Sequence, residues 1–398
     1  MKKVEIKTKF IDSYKNGYPL ITKDLIANYR DSIKEGDIIE LVDSKGRFIA
    51  RGYCGLQNKG YGWVLTTDIK QKIDKYFFKE KIEDAIKYRD NFFKFNDTTA
   101  FRVFNGEGDG VGGLTIDYFD KYYLITWYSI GIYKFKDEIL DALKSQVEFK
   151  GIYQKRRFNK SGQYVDNLDD FVCGQRAPEP LIIKESGQKF AIYLDDGAMV
   201  GLFLDQRDVR KTLRDKYAKG KTLLNTFSYT GAFSIVAAAG GAKKTTSVDL
   251  AKRSLAKTKE NFELNNIETS TQDIIVEDIF KYFKYAIKKG LIFDIIVLDP
   301  PSFARSKKHT FSAIKDYTNL LVDAIKIIKN GGVILASTNA ANFNLDRFKT
   351  FIDRAFKESD KKYTIEKTFT LPKDFRVSKK FKEGNYLKVV FIRVDSKA

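Results

Sequence analysis

Over the first 72 residues, apolar and polar positions alternate in short runs that end at turn residues. Gly36-Asp37-Ile38-Ile39-Glu40-Leu41-Val42 alternates and breaks at Asp43-Ser44-Lys45-Gly46, and Arg47-Phe48-Ile49-Ala50-Arg51-Gly52-Tyr53 follows. Two β-rich runs separated by a turn containing glycine predict a hairpin, and the segment as a whole suits a small β-barrel. Over 69–94 the period lengthens. Ile73, Tyr76, Phe77, Ile82, Ala85 and Ile86 recur at helical spacing among charges, which predicts a helix leaving the barrel. Residues 100–195 are strand-rich again. Gly106, Gly108, Gly110, Gly112 and Gly113 crowd one loop there. No Lys-Ser/Thr pair and no helix start follows, so the loop reads as a turn between strands and not as a phosphate cradle. Arg176-Ala177-Pro178-Glu179-Pro180 breaks the pattern and marks a boundary.

From about residue 220, strands alternate with helices. The pattern predicts strands at 222–227, 245–250, 274–276, 293–298 and 333–337, with helices at 232–239, 251–264, 281–289, 313–329 and 345–357. The near-continuous apolar run at 293–298 has the composition of a central parallel strand buried on both faces. Asn330-Gly331-Gly332 is a helix stop. Two last strands, 363–371 and 386–394, have no helix between them. Five β-α units and a strand pair predict a doubly wound, Rossmann-like sheet of seven strands with an antiparallel edge. The expected architecture is α/β: a PUA-like β-barrel over 1–72, a middle α+β domain over 73–185 and the doubly wound domain over 186–398.

Charge narrows the partner. The chain has 71 Lys and Arg against 52 Asp and Glu, a formal +19, which favours a polyanion such as RNA. Its two cysteines, Cys54 and Cys173, have no CxxC spacing, and the single histidine, His309, cannot build a histidine-rich metal site, so no metal is expected. No apolar run reaches the roughly 18 residues of a membrane span. The polar start, Met1-Lys2-Lys3-Val4-Glu5, lacks a signal-peptide core, and a cytoplasmic location is expected.

In a doubly wound sheet the ligand sits beyond the carboxyl ends of the strands. The first strand runs into Asn225-Thr226-Phe227-Ser228-Tyr229-Thr230-Gly231, where a glycine admits close backbone approach and Ser228 and Thr230 can donate hydrogen bonds. The second ends at Asp249, whose carboxylate can take both ribose hydroxyls of a nucleoside. The third precedes Glu277-Asp278-Ile279-Phe280, a carboxylate beside an aromatic, which suits adenine. Three such ends in register predict nucleoside binding. A GxGxxG fingerprint is missing, which favours S-adenosylmethionine (SAM), a cofactor without a pyrophosphate, over NAD. The fourth strand ends in Leu298-Asp299-Pro300-Pro301-Ser302-Phe303. The prolines fix the backbone and remove two donors, leaving the Asp299 and Pro300 carbonyls to face a planar amine or ring edge, with Phe303 as a stacking face. Arg305-Ser306-Lys307-Lys308-His309 follows and reads equally as a phosphate clamp or a solvated loop. Lys155-Arg156-Arg157 and Ser378-Lys379-Lys380 read as solvated faces.

Leu204-Asp205-Gln206-Arg207, Phe227-Ser228-Tyr229-Thr230-Gly231, Val248-Asp249 and Asp299-Pro300-Pro301-Ser302-Phe303 together resemble the class I methyltransferases. They are most similar to the bacterial 23S ribosomal RNA large-subunit methyltransferases that carry an N-terminal PUA domain. The resemblance extends over the whole chain and implies SAM as cofactor. It adds Gln206, Arg207, Ser254 and Asn265 to the cofactor set of Asn225, Phe227, Ser228, Tyr229, Thr230, Gly231, Asp249, Asp278 and Asp299. It also implies 23S RNA or a large-subunit precursor as partner and a homodimer as a candidate state.

Well-known members of that family make 5-methylcytosine, which needs a thiolate to attack C6 of the ring. Here the fifth strand ends in Ala336-Ser337-Thr338-Asn339-Ala340, without cysteine. Guanine N7 already carries an exposed lone pair and needs only orientation and stacking. Asp299-Pro300-Pro301-Ser302-Phe303 with Thr338-Asn339 resembles the related enzymes that methylate guanine N7 in 23S RNA, and that resemblance implies direct transfer to N7, with Asp299, Pro300, Phe303 and Asn339 at the reaction centre. Cytosine C5 and another base nitrogen stand as alternatives on RNA. A small-molecule or protein methyltransferase and a non-catalytic RNA-binding factor are the readings from other classes.

Overall fold

The structure, a computed structural model, describes residues 1–28, 33–57, 60–158, 164–165, 169–305 and 310–395. The chain forms two compact units. The first comprises Met1–Ile183, Ile192–Val200 and Lys373–Gly384; the second comprises Lys184–Ala191, Gly201–Pro372 and Asn385–Ala398.

In the first unit, six strands between Lys2 and Thr66 form one sheet around Val4, Ile6, Tyr14, Ile21, Leu41 and Ala50. The predicted hairpin is there: Ile38–Val42 pairs antiparallel with Phe48–Gln57. The predicted helix over 69–94 is shorter, Lys75–Tyr88, because the Asp74 side chain accepts from the Tyr76 and Phe77 amides and fixes its start. A second sheet of five strands follows, and the glycine-rich loop joins Ala100–Asn105 to antiparallel Leu114–Phe119 as a turn.

Two corrections belong to this unit. Lys155 and Arg156 do not lie on a solvated face. They end the strand Gly151–Arg156, which is flanked on both sides, and both are buried. Lys155 Nζ donates to Asp170, and Arg156 donates to the Asp169 carbonyl at 2.9 Å. The compensating carboxylate comes from more than a dozen residues downstream, beyond the reach of a local charge pattern. Second, Lys373–Gly384 interrupts the last strand pair of the other unit and packs here. The Asp374 carboxylate accepts from the Arg102 amide, and its carbonyl accepts from Arg89 Nε. Arg89 is fully buried and also pairs with Asp109 at 2.7 Å.

In the second unit, seven strands form one sheet: β1 Thr222–Thr226, β2 Lys244–Asp249, β3 Asp273–Val276, β4 Phe293–Leu298, β5 Ile328–Thr338, β6 Tyr363–Phe369 and β7 Lys388–Val394. Their order is β3-β2-β1-β4-β5-β7-β6. The helices are α1 Arg207–Lys216, α2 Ala232–Ala239, α3 Lys252–Leu264, α4 Ile279–Lys289, α5 Ala313–Ile327 and α6 Leu345–Glu358. The central strand β4 is apolar because both faces are covered, and Ile296, Val297 and Leu298 are fully buried. Two details differ from expectation. The antiparallel strand is not the edge: β7 runs antiparallel between β5 and β6. Helix α5 ends before the glycines, at Ile327, because Ile328 is already extended and pairs with Phe293. Residues 329–332 then bulge out of the ladder, with Gly331 at φ +75°, before Val333 pairs with Ile295. No helix among the described residues is long and apolar enough to cross a membrane.

Candidate active site

The carboxyl ends of β1, β2, β3, β4 and β5 bring most of the sequence-predicted residues to one edge of the sheet. The loop after β1 is tight: Phe227, Tyr229 and Gly231 all have positive φ, at +51°, +50° and +77°. For non-glycine residues this backbone is strained, and such strain concentrates at ligand sites. The loop is held on several sides. The Ser228 amide donates to the Val248 carbonyl at 3.1 Å, and the Tyr229 amide donates to Asp249 Oδ2 at 2.8 Å. Thr230 Oγ1 donates to the Gly201 carbonyl at 2.7 Å. A Cβ at Gly231 would fall 2.5 Å from Thr258 Cγ2, so the position excludes side chains on sterics as well as on φ.

Asp249 ends β2. Its two carboxylate oxygens accept from the Tyr229 and Ala251 amides, each at 2.8 Å, which fixes the group while leaving a lone pair on each oxygen. Asp278 caps α4 through Oδ1, accepting from the Phe280 and Lys281 amides. Nearby, Phe227 and Phe280 both pack on the buried Phe311 ring, with centroids 6.3 and 6.0 Å apart, and make an apolar wall.

Asp299 ends β4. Gln206 Nε2 donates to Asp299 Oδ1 at 3.1 Å and to Ser337 Oγ, at the end of β5, at 2.7 Å. The Tyr317 hydroxyl bridges the same strand ends, lying 3.1 Å from the Leu298 carbonyl and 2.7 Å from that of Ser337. Protein crowds the Asp299 carboxyl, although part of the residue still reaches solvent. That burial pushes its pKa up to about 6, with the Asp205 charge adding to the rise and the hydrogen bonds from Ser337 and Gln206 and the Arg210 charge opposing it. Past Pro300, Phe303 stands 63% exposed on a short ribbon, Phe303–Arg305 paired with Thr310–Ser312. Asn339 is exposed at the end of β5 and accepts from Ser302 Oγ.

Not every predicted residue joins this edge. Asn265 closes the C-terminus of α3, where its amide accepts from the Lys189 amide and donates to the Lys189 and Asn261 carbonyls. Both of its N–H groups are used, so it acts as a clasp on the strand at Lys189. Asn225 turns into the packing between strand and helix and donates to Ser234 Oγ at 3.0 Å. Ser254 is buried in the first turn of α3, and Arg207 is buried at the start of α1. Residues 306–309 and the Arg305 side chain, the expected basic clamp, lie outside the described residues. Sequence reading missed Tyr317, and it missed Lys388, a buried lysine whose Nζ donates to the Ala340 and Tyr386 carbonyls. A lysine opening an otherwise apolar strand was the one signal for it.

A family model for S-adenosylmethionine-dependent methyltransferases matches residues 112–376, and one for PUA-like domains matches residues 4–67. The chain belongs to the S-adenosylmethionine-dependent methyltransferase family. Its cofactor is therefore SAM. A Bacillus subtilis (strain 168) protein, provisionally named ribosomal RNA large subunit methyltransferase YwbD, is 56% identical over 99% of this methyltransferase and 100% of its own length. Ribosomal RNA large subunit methyltransferase I of Pseudoalteromonas translucida (strain TAC 125) is 30% identical, with 96% of each chain covered. A crystal structure provisionally described as a methyltransferase in complex with SAH superposes with a TM-score of 0.91 at 39% identity. That match covers 99% of this chain and 100% of the other. A structure from Streptococcus mutans, provisionally described as a SAM-dependent methyltransferase, gives the same TM-score at 38% identity and the same coverage.

The residues of this methyltransferase fit the cofactor. Gln206 Oε1 is buried without a partner, and the crowded Asp299 carboxyl lacks a cation at hydrogen-bond distance among the described residues. A ligand carrying an ammonium and a sulfonium supplies what both lack.

Proposed function

We propose that this chain transfers the methyl group of SAM to N7 of a guanine in large-subunit ribosomal RNA, directly and without a covalent enzyme–RNA intermediate. The relatives named as ribosomal RNA large subunit methyltransferases, the PUA-like domain and the +19 charge support RNA as substrate. The observation that carries the target atom is the state of the thiols. The sequence has two cysteines, and both belong to the first unit, whereas the ends of β4 and β5 offer only Ser302, Ser337 and Thr338. Cys54 is buried in the strand Phe48–Gln57, and its thiol is pushed up to about 11, chiefly by burial. The strand ends themselves thus carry no thiol for an attack on cytosine C6, which supports the direct reading.

When bound, SAM supplies a methyl carbon on a sulfonium, which the N7 lone pair attacks as the C–S electrons leave with sulfur. No proton has to be removed, so the residues orient and stabilise. In this reading the free lone pairs of Asp249 accept the ribose hydroxyls, while Asp278 and the Phe227–Phe280 wall take the adenine. Asp299 and Gln206 hold the ammonium, and Arg207 reaches the carboxylate at the same polar end of the cofactor. Phe303 stacks on the base, and the Asp299 and Pro300 carbonyls and Asn339 meet its edge, where guanine presents donors at N1 and N2. Held in line, the two reactants need little further catalysis. Residues 1–72 then serve as the RNA-recognition domain, 73–185 as a middle α+β domain and 186–398, apart from the stretches 192–200 and 373–384 that pack with the first unit, as the catalytic domain. A cytoplasmic site of action and a homodimer, checked by light scattering, belong to the same reading.

The test is nucleoside mass spectrometry of bacterial 23S transcript after incubation with the chain and labelled SAM. Label in 7-methylguanosine is expected, and a Cys54→Ser/Cys173→Ser double variant should transfer as well as the parent. Label in 5-methylcytidine, lost in the cysteine-free variant, would overturn the assignment.

A further inference from the structure

The opposite edge of the seven-stranded sheet has a charge of its own. The segments that lead into β1 to β6 and finish β7 (214–221, 243–244, 265–273, 288–294, 326–333, 357–362 and 393–395) hold fourteen Lys and Arg against seven Asp and Glu. The described residues of the loops that follow β1 to β5 at the other edge (227–231, 249–254, 277–281, 299–305, 310–312 and 339–346) hold four against five. Both edges come from one chain of one composition, so a general excess of lysine does not account for the difference.

The basic edge is also shaped. A cleft of about 160 Å³ lies between the end of α1 and the bulge in β5, lined by Lys216, Lys221, Lys329, Arg393 and the glycine pair 331–332. Its one acid, Asp294, is already engaged by the Thr222 amide at 3.0 Å and by Lys329 at 3.4 Å. A broader groove of about 710 Å³ shares Lys329 and Asn330 and adds Lys326 and Lys361. Among the described residues, the exposed ammoniums of Lys216, Lys219, Lys221, Lys243, Lys288 and Lys289 have no acid in ion-pair range. Lys216 lies against Lys367, and the contact disfavours charge on Lys367. Cations gathered against one another cost free energy in the isolated protein, and a polyanion removes that cost.

We infer that this edge is a second RNA surface, on which the Lys216–Lys221 cleft and its neighbouring lysines hold backbone phosphates of the substrate away from the target nucleotide. The inference rests on the RNA reading proposed above. Asp294 and Asp299 are five residues apart on β4, or roughly 16 Å along the strand. A short oligonucleotide seated at Phe303 therefore does not reach the cleft, whereas a long folded RNA can occupy both edges. The edge contributes affinity and salt dependence but no sequence selection, as phosphate contacts do.

The experiment uses the full chain and a Lys216→Gln/Lys221→Gln variant, with Lys259→Gln/Lys284→Gln as a control drawn from exposed lysines elsewhere in the same unit. Affinity for bacterial 23S transcript and for a short single-stranded oligonucleotide is measured across a salt series. The cleft variant should lose about tenfold in affinity for the long RNA near 0.1 M salt, and its log–log salt slope should shrink by about two. Its affinity for the oligonucleotide and for SAM, and its melting temperature, should match the parent. Equal long-RNA affinity and slope in the cleft and control variants would overturn the second surface alone. Failure of the parent to bind any RNA would overturn the RNA reading as well.

Discussion

At the scale of single residues, Asp299 is where the fold meets the proposed chemistry. Its carboxyl ends a buried strand and is pushed up to about 6, against 3.8 for the free group. A group that holds its proton more tightly in the native state stabilises the fold fully below the lower value. That contribution fades as pH rises through the higher one. The free protein should thus lose this increment between those values, by urea titration at a series of pH values. A cationic ligand prefers the ionised form, so SAM affinity should rise by roughly tenfold or more as pH climbs through about 6. Asp299→Asn should flatten that dependence and weaken binding, both read by calorimetry. Phe303 makes a separate prediction. The residue is 63% exposed. Phe303→Ala should lower kcat/KM for RNA by roughly 10-fold to 100-fold, in line with about 1–3 kcal/mol of base stacking. SAM affinity should stay the same.

At the scale of elements, two glycines with the same backbone serve different ends. Gly231 and Gly331 have φ of +77° and +75°. The first turns β1 into α2 at the reaction edge, and the second shapes the bulge of β5 at the basic edge. Replacing either with alanine should cost about 1–2 kcal/mol of stability, the usual penalty for forcing a side chain into this region. Only Gly231→Ala should also weaken SAM binding, because its Cβ meets Thr258 and displaces the loop that anchors Asp249. Comparable losses of cofactor affinity in both variants would show that the loop plays no special part.

At the scale of the whole molecule, the excursion Lys373–Gly384 gives the first unit contacts from far along the chain. Arg89 bonds both to Asp109 and to the Asp374 carbonyl, fully enclosed. Arg89→Ala leaves Asp109 buried with its main partner gone, for which about 3–5 kcal/mol is the expected cost. Limited proteolysis should then cut the first unit while the second still binds SAM. Simultaneous loss of SAM binding would mean that the two units fold as one.

The sequence by itself determined the alternation of strands and helices after residue 220, the hairpin near Gly46, the glycine turn before Leu114 and the carboxylates at the ends of β2 and β4. These are local signals: a period of two or of 3.6, a turn residue, or a polar residue closing an apolar run. It also showed that the segments closing β4 and β5 carry no cysteine. Only tertiary structure decided that Gln206 and Ser337 meet at Asp299, that Lys155 and Arg156 are buried on Asp170, and that Asn265 is a clasp. Only it decided that α5 stops at Ile327 and that β7 lies inside the sheet. In each case the deciding partner is distant in sequence. A charge, an amide or a strand then takes its role from what folding brings beside it and not from its neighbours along the chain.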